Sequence, residues 1–323
     1  MPQLRRDDLG DRWVLLAPGR AARPHTFPPA RGDAGDTPAD CPFCPGHEQM
    51  TPPEVCRTGS GAPDTPGWRV RVVPNLYPIV GGADAEPGAT GAHEVAVLSP
   101  AHGRSFAQLD DAQAIEVLTV LRDRARYHLG AGRAFVQVVI NHGAAAGASI
   151  EHPHAQIVAL DFVPPAIEHA LRRVAAAGAD LVVADLDRAG HDDLRVVDAP
   201  ASSWCPHASS TPYEIRIALG DAGSRFDDAD DADLADVAVT VRTTLGRLAT
   251  VLGDAPYNLV VHTAPPGAAP DAFHWYVEVQ TRIAVVAGFE QGTGIFVSTT
   301  PPEAAASQLR DAGTAAPRGS ATT

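Results

Sequence analysis

Period-two and helical patterns alternate along the chain. Arg12–Leu16 (RWVLL) has the composition of a strand and ends in a turn at Pro18-Gly19. Trp68–Val73 and His93–Leu98 (HEVAVL) read as strands too, the second broken by Ser99-Pro100-Ala101-His102. Residues 110–128 put Ile115, Leu118, Leu121 and Ala125 on one face, which predicts a helix. Ala134–Ile140 predicts a strand, and Ile157–Leu160 a buried one. Between those two lies NHGAAAGASIEHPHAQ (141–156), a loop of small residues running into two histidines and a glutamine. On an extended segment His152, His154 and Gln156 share a face.

The pattern then returns with an offset of 120. Phe106 lands on Phe226, Arg122 on Arg242, His142 on His262 and His154 on His274. Glu94-Val95 lands on Glu214-Ile215, and the helix at 110–128 on 230–248, where Leu234, Val237, Val241, Leu245 and Leu248 form an apolar face. Such an offset implies a duplicated α+β unit of roughly 150 residues. His152, Pro153 and Gln156 become Ala272, Phe273 and Tyr276. The second copy therefore keeps a scaffold and loses most of a site, so one working site per chain is expected. The expected division is 1–165, 166–310 and a disordered tail at 311–323.

Composition narrows the chemistry. The chain has 323 residues and globular proportions of charged and apolar residues, with no apolar run of membrane-spanning length and no hydrophobic leader, so a soluble cytoplasmic protein is expected. A net charge of −14 argues against nucleic-acid or membrane partners. All 25 basic side chains are arginine, which excludes every lysine-dependent phosphate or Schiff-base motif. Six of them, Arg5, Arg6, Arg12, Arg20, Arg23 and Arg31, fall within residues 1–31 and suggest a site for a small anion.

Cys41-Pro-Phe-Cys44 suits two thiolates on one tetrahedral ion, although a redox pair has the same spacing. Cys56 and Cys205 lack such partners and read as inert. One of the two clustered histidines supplies a third ligand, and His102 in the strand break is the best fourth. Four protein ligands leave no position for water, so the metal would be structural and His154 free to act. A neutral imidazole attacks phosphorus well when its other nitrogen donates to a fixed acceptor. The small residues of 143–149 would let a phosphate approach backbone amides, and Gln156 could bind phosphoryl oxygens without moving a proton. This points to nucleotidyl or phosphoryl transfer through a covalent histidine. A zinc-water hydrolase would need an HxE pair near the CxxC, which is missing.

CPFCPG (41–46), NLYP (75–78), SPAHG (99–103), NHGAAAGAS (141–149), HPHAQ (152–156) and GFEQGTG (288–294) together resemble the galactose-1-phosphate uridylyltransferase branch of the histidine-triad superfamily. RWVLLAPGRAARP (12–24) resembles its N-terminal signature, and the likeness covers about residues 3–310. The resemblance implies two tandem histidine-triad-like units, antiparallel sheet with helices, related by a pseudo-two-fold axis. It implies His154 as the nucleophile that carries a uridylyl group, and Gln156 as the residue binding its phosphoryl oxygens. It implies zinc on Cys41, Cys44, His102 and His152. Arg20, Arg23, Asn75, Asn141, Gly147 and Ser149 match nucleotide- and phosphate-contacting positions, and Glu290 a hexose-contacting one. It also implies a homodimer whose sites are completed across the interface, acting on a nucleotide sugar and a sugar 1-phosphate. A second, iron-type site of some members is expected to be lost: His262 and His274 match it, but Ala272 and Ala170 replace its other ligands. The expected reaction is ping-pong uridylyl transfer from UDP-glucose to galactose 1-phosphate. Ala284 replaces a lysine near the sugar phosphate, and GFEQGTG looks more like the ADP-sugar phosphorylase-like members, where inorganic phosphate is the acceptor. A dinucleotide phosphorylase with the same nucleotidyl-histidine, or a nucleotide-binding protein without catalysis, would also be compatible with these motifs.

Overall fold

The computed structural model describes residues 1–22, 40–82, 85–86 and 88–314. The chain opens with the hairpin β1 (Gln3–Asp7) and β2 (Arg12–Leu16), then lays down β3 (Cys56–Gly59), β4 (Trp68–Pro74) and β5 (Gly91–Val97). Helix α1 (Asp111–Gly130) leads into β6 (Phe135–His142) and β7 (His154–Leu160). Helices α2 (Pro165–Ala177) and α3 (Leu181–His191) connect to β8 (Arg195–Val197), β9 (Ala201–Trp204) and β10 (Ile215–Leu219). Helix α4 (Asp231–Leu252), β11 (Tyr257–His262), β12 (Tyr276–Thr281), α5 (Gly288–Thr293), β13 (Ile295–Ser298) and α6 (Pro302–Thr314) follow. The fold is α+β, and no described helix is long and apolar enough to cross a membrane.

The ten-stranded sheet has the order β3-β4-β5-β7-β6-β11-β12-β10-β9-β8, and all its pairs are antiparallel. This order is symmetric about the β6–β11 seam. There Val139 pairs with Val260 and Ile140 with Leu259. Adding 120 to Val139 and Ile140 gives Leu259 and Val260, so exchanging the halves leaves the pairing unchanged. Both long helices start alike, too. The Asp110 carboxylate accepts from the Gln113 N–H and Asp230 from the Asp233 N–H, each at 2.8 Å, satisfying a first-turn amide that would otherwise lack a partner. This is the arrangement that a duplicated unit would give.

One core runs across the seam. Ala155, Ile157 and Ala159 of β7 pack on one side of the sheet with Val117, Leu121 and Ala125 of α1 and Val237, Val241 and Leu245 of α4. Ile115 is only half-buried, because the buried face of α1 centres on Ala114, Val117, Leu118 and Leu121. Strand alternation sends His154 and Gln156 to the opposite, open face.

The small sheet β1-β2-β13 is fastened to the second half by charge. Arg12 bonds Asp7, Glu214 and Glu278, all at 2.9 Å, and Arg216 reaches Asp7 at 2.6 Å and Asp185 at 2.8 Å. Three of the six N-terminal arginines are thus paired with carboxylates of the protein itself, which removes them from the anion site expected of the segment. Arg12 lies in that network, Arg5 pairs with Glu303 and Arg6 with Asp11. Helix α6 continues through Asp311–Thr314, which composition alone assigns to the tail, because Ala305, Ala306 and Leu309 bury one face and Arg310 caps the Asp193 and Arg195 carbonyls. Arg23, Arg31 and residues 315–323 lie outside the described residues.

Candidate active site

The Cys41–Cys44 knuckle is built locally. His47 donates its Nδ1–H to the Cys41 carbonyl at 2.7 Å, and Glu48 accepts from the Gly46 amide and the Trp68 indole, both at 2.9 Å. Facing it are His102, in the loop after β5, and His152, just ahead of β7. Ligand atoms of Cys41, Cys44, His102 and His152 all lie within 4.8 Å of one another. The Cys41 and Cys44 sulfurs are 3.6 Å from His152 Nδ1, and Cys44 Sγ is 3.4 Å from His102 Nδ1. A tetrahedron with the usual Zn–S and Zn–N bond lengths has an S···N edge of about 3.6 Å. The four donors therefore fit a tetrahedral ion. His152 is further oriented by donating Nε2–H to the Ser99 carbonyl at 2.7 Å. Burial, then the neighbouring Cys41, push the Cys44 thiol up to about 11, and burial pushes His152 down to about 4. Without a cation the cluster holds a thiol at Cys44 and a neutral imidazole at His152; a divalent ion would expel the thiol proton.

His154 stands two residues on, and its surroundings set its tautomer. Nδ1–H donates to the His152 carbonyl at 2.8 Å, so the lone pair sits on Nε2. Nε2 makes no hydrogen bond to the described residues. Burial lowers the pKa of the ring, which keeps it neutral. Phe43, between the two cysteines, packs on His154 with ring centroids 5.4 Å apart. The knuckle therefore touches the nucleophile candidate directly.

Gln156 pairs in register with Val95 of β5 and Val139 of β6. Its Oε1 lies 2.9 Å from His93 Nε2. Next to it, β6 ends at Asn141 and His142 and the chain turns through Gly143 and Gly147, whose φ values of 80° and 88° are left-handed. A Cβ on Gly143 would also come within 3.0 Å of Pro256. Gly147 and Ser149 are exposed. Asn141 is held from the second half. Asn258 of β11 donates one amide hydrogen to Asn141 Oδ1 and one to the Ala146 carbonyl, each at 2.7 Å, while its own oxygen accepts from Arg282. Asn75 closes the site at the end of β4, its Oδ1 accepting from the Tyr77 amide at 2.8 Å.

Two of the remaining candidates are elsewhere. Arg20 follows β2 and Glu290 precedes β13, so they leave the small sheet at opposite ends, and neither bonds to β7. The Glu290 carboxylate instead accepts from the Ala287 amide at 3.0 Å. Arg23 lies outside the described residues. Sequence reasoning misses His93 and Asn258; the only signal for either is its place in a strand beside a motif.

The matching place in the second half differs chemically. His274 has both ring nitrogens 2.8 Å from oxygens, Nδ1 from Asp180 and Nε2 from the Leu219 carbonyl, so no lone pair is free. His262 bonds Glu278 at 3.0 Å and stacks on Tyr276.

The model of the galactose-1-phosphate uridyl transferase N-terminal domain matches residues 85–164. ADP-glucose phosphorylase of Arabidopsis thaliana is 31% identical, over 96% of this chain and 93% of its own length. Galactose-1-phosphate uridylyltransferase of Haemophilus influenzae is 26% identical, over 85% of this chain and 81% of its own. Among solved structures, an Arabidopsis thaliana ADP-glucose phosphorylase with bound ADP-glucose superposes with a TM-score of 0.83 at 30% identity, covering 96% of this chain and 99% of that one. A uridylyltransferase gives 0.72 at 25% identity, with 97% and 99% covered. Likeness of that extent shows that the chain belongs to the transferase family of galactose-1-phosphate uridylyltransferases and ADP-glucose phosphorylases.

Proposed function

We propose that the protein moves a nucleoside monophosphate from a nucleotide sugar to a phosphate-bearing acceptor through a nucleotidyl-His154 intermediate. The observation that carries this reading is the His154 ring, whose Nδ1–H is committed to a backbone carbonyl while no described residue bonds Nε2. Nε2 attacks the α-phosphorus; the bond to the sugar-phosphate oxygen breaks and hexose 1-phosphate leaves. An oxygen of the acceptor then attacks the same phosphorus and the P–N bond breaks. The carbonyl of His152 steadies the positive charge that the ring acquires, and the Gln156 amide donates to the non-bridging oxygens. Asn141, Gly147 and Ser149 border the space for the phosphates, and Asn75 that for the nucleoside.

Zinc on Cys41, Cys44, His102 and His152 would have its four positions filled by protein and would supply rigidity to the knuckle under His154. Arg20 and Glu290 are proposed to serve the site of a second copy, since they leave a sheet that packs away from β7. Leu76, Tyr77, Ile79, Val285 and Val286 are exposed and suit such a homodimer interface. Sedimentation that reports a single copy would remove the dimer.

ADP-glucose with inorganic phosphate as acceptor is the pair favoured by the higher whole-chain identity and by GFEQGTG at 288–294. UDP-glucose with galactose 1-phosphate is the second reading, favoured by the family-model match and by the curated uridylyltransferases. Incubation with each α-32P-labelled donor, followed by each acceptor, separates them. The productive donor should label the protein and the productive acceptor should remove the label. His154→Gly and His154→Ala should not label at all; covalent label on either ends the mechanism.

A further inference from the structure

The Gln156 amide can bind phosphoryl oxygens only through its NH2 group, yet an amide in a strand can turn either way. Something must choose. His93, on β5 beside β7, makes the contact that does so. The Ile79 backbone amide is 3.2 Å from His93 Nδ1. A backbone N–H can only donate, so Nδ1 must carry the lone pair. The neutral ring then bears its hydrogen on Nε2, which points at Gln156 Oε1 at 2.9 Å. The amide oxygen is thereby occupied and the NH2 group is turned to the other side. Asn75 Nδ2 lies 3.1 and 3.3 Å from the two ring nitrogens, against the ring and in line with neither lone pair. The same imidazole therefore touches two of the candidate contact residues. Its ring is buried, and burial lowers its pKa, which favours the neutral form that this relay needs.

We infer that His93 is a positioning residue, a fixed-tautomer imidazole that sets the Gln156 amide with its hydrogens toward the phosphoryl group being transferred. This rests on the nucleotidyl-His154 reading. It adds a residue from outside the HPHAQ motif, and a direction for the glutamine.

The test is single-turnover labelling with the α-32P donor. His93→Phe keeps a ring but loses the donor, and His93→Gln restores an N–H. His93→Phe should slow label formation by about 10- to 100-fold, as for groups that orient a directly acting residue, with donor KM changed less than about 3-fold. His93→Gln should recover most of the rate. In a Gln156→Ala background His93→Phe should cost little more, because its effect runs through the glutamine. Full-speed labelling by His93→Phe, or equal losses with and without Gln156, overturns the inference while leaving the mechanism intact. No label on the wild-type protein overturns the mechanism and this inference with it. A measurement that needs no variant is 15N NMR of the side chain: a neutral His93 protonated at Nδ1 also overturns it.

Discussion

At the residue scale, the site depends on which atom of each side chain is already occupied. His154 and His274 hold matching positions in the two halves, yet one has a nitrogen that no described residue bonds and the other has both nitrogens against oxygens. A histidine in the sequence says nothing about this; the partner of each ring nitrogen does. The same reasoning gives His93 a pH signature. Its folded pKa lies below the ordinary 6.5. Its stabilising contribution is therefore complete above about pH 6.5 and is lost as pH falls through the folded value, where Nδ1 must take a proton that faces the Ile79 N–H. Gln156 and Asn75, the side chains against it, are uncharged. The ratio of labelling rates, wild type over His93→Gln, should hold down to about pH 6.5 and fall only at lower pH, as the depressed folded value is passed, since His154 titrates in both proteins and cancels. A ratio that already falls above about pH 6.5 would contradict it.

At the element scale, the CPFC knuckle and β7 work as one unit. His152 faces the cysteines and, two residues on, His154 faces the open side, with Phe43 resting on it. Loss of a metal ion should therefore be felt at the nucleophile and not only in stability. Cys44→Ala is expected to lower the bound metal from one equivalent to none, lower the melting temperature by several degrees, and slow labelling about 10-fold or more. Metal analysis, calorimetry and the labelling assay on one preparation check this. Unchanged labelling in a metal-free, folded variant would show the knuckle to be remote from the chemistry. The knuckle was legible in the sequence because ligand chemistry demands particular residue types at tight spacing. Helices α1 and α4 were legible because apolar residues recur at helical spacing in both. The fate of Arg5 and Arg12 was not legible, because their carboxylate partners come from as far along the chain as Glu214, Glu278 and Glu303.

At the scale of the whole molecule, the half without a free nucleophile still shapes the site. Asn258 uses both amide hydrogens on Asn141 and Ala146, and Arg282 fixes its oxygen. Asn258→Ala should leave Asn141 free to turn and the 143–149 loop without its anchor. A rise of about 10-fold in donor KM, with a melting point within a few degrees of wild type, is expected, since the lost contacts amount to roughly 1 kcal/mol each. Unchanged KM would mean that the seam supports only the fold.

The 120-residue offset, the Cys2His2 quartet, the HPHAQ strand and the α+β class could all be read from the chain by itself. Each rests on local periodicity or on a residue type that little else can replace. Cys41, Cys44, His102 and His152 do come together, while Arg20 and Glu290 lie at opposite ends of the small sheet and neither bonds to β7. Only the tertiary structure decided that, and only it brought His93 to Gln156 and Asn258 to Asn141. Those contacts join residues 63 and 117 positions apart, across strands whose pairing no local pattern specifies. The reason is geometric: a hydrogen bond fixes direction at a few ångströms, and sequence spacing carries no direction beyond its own element.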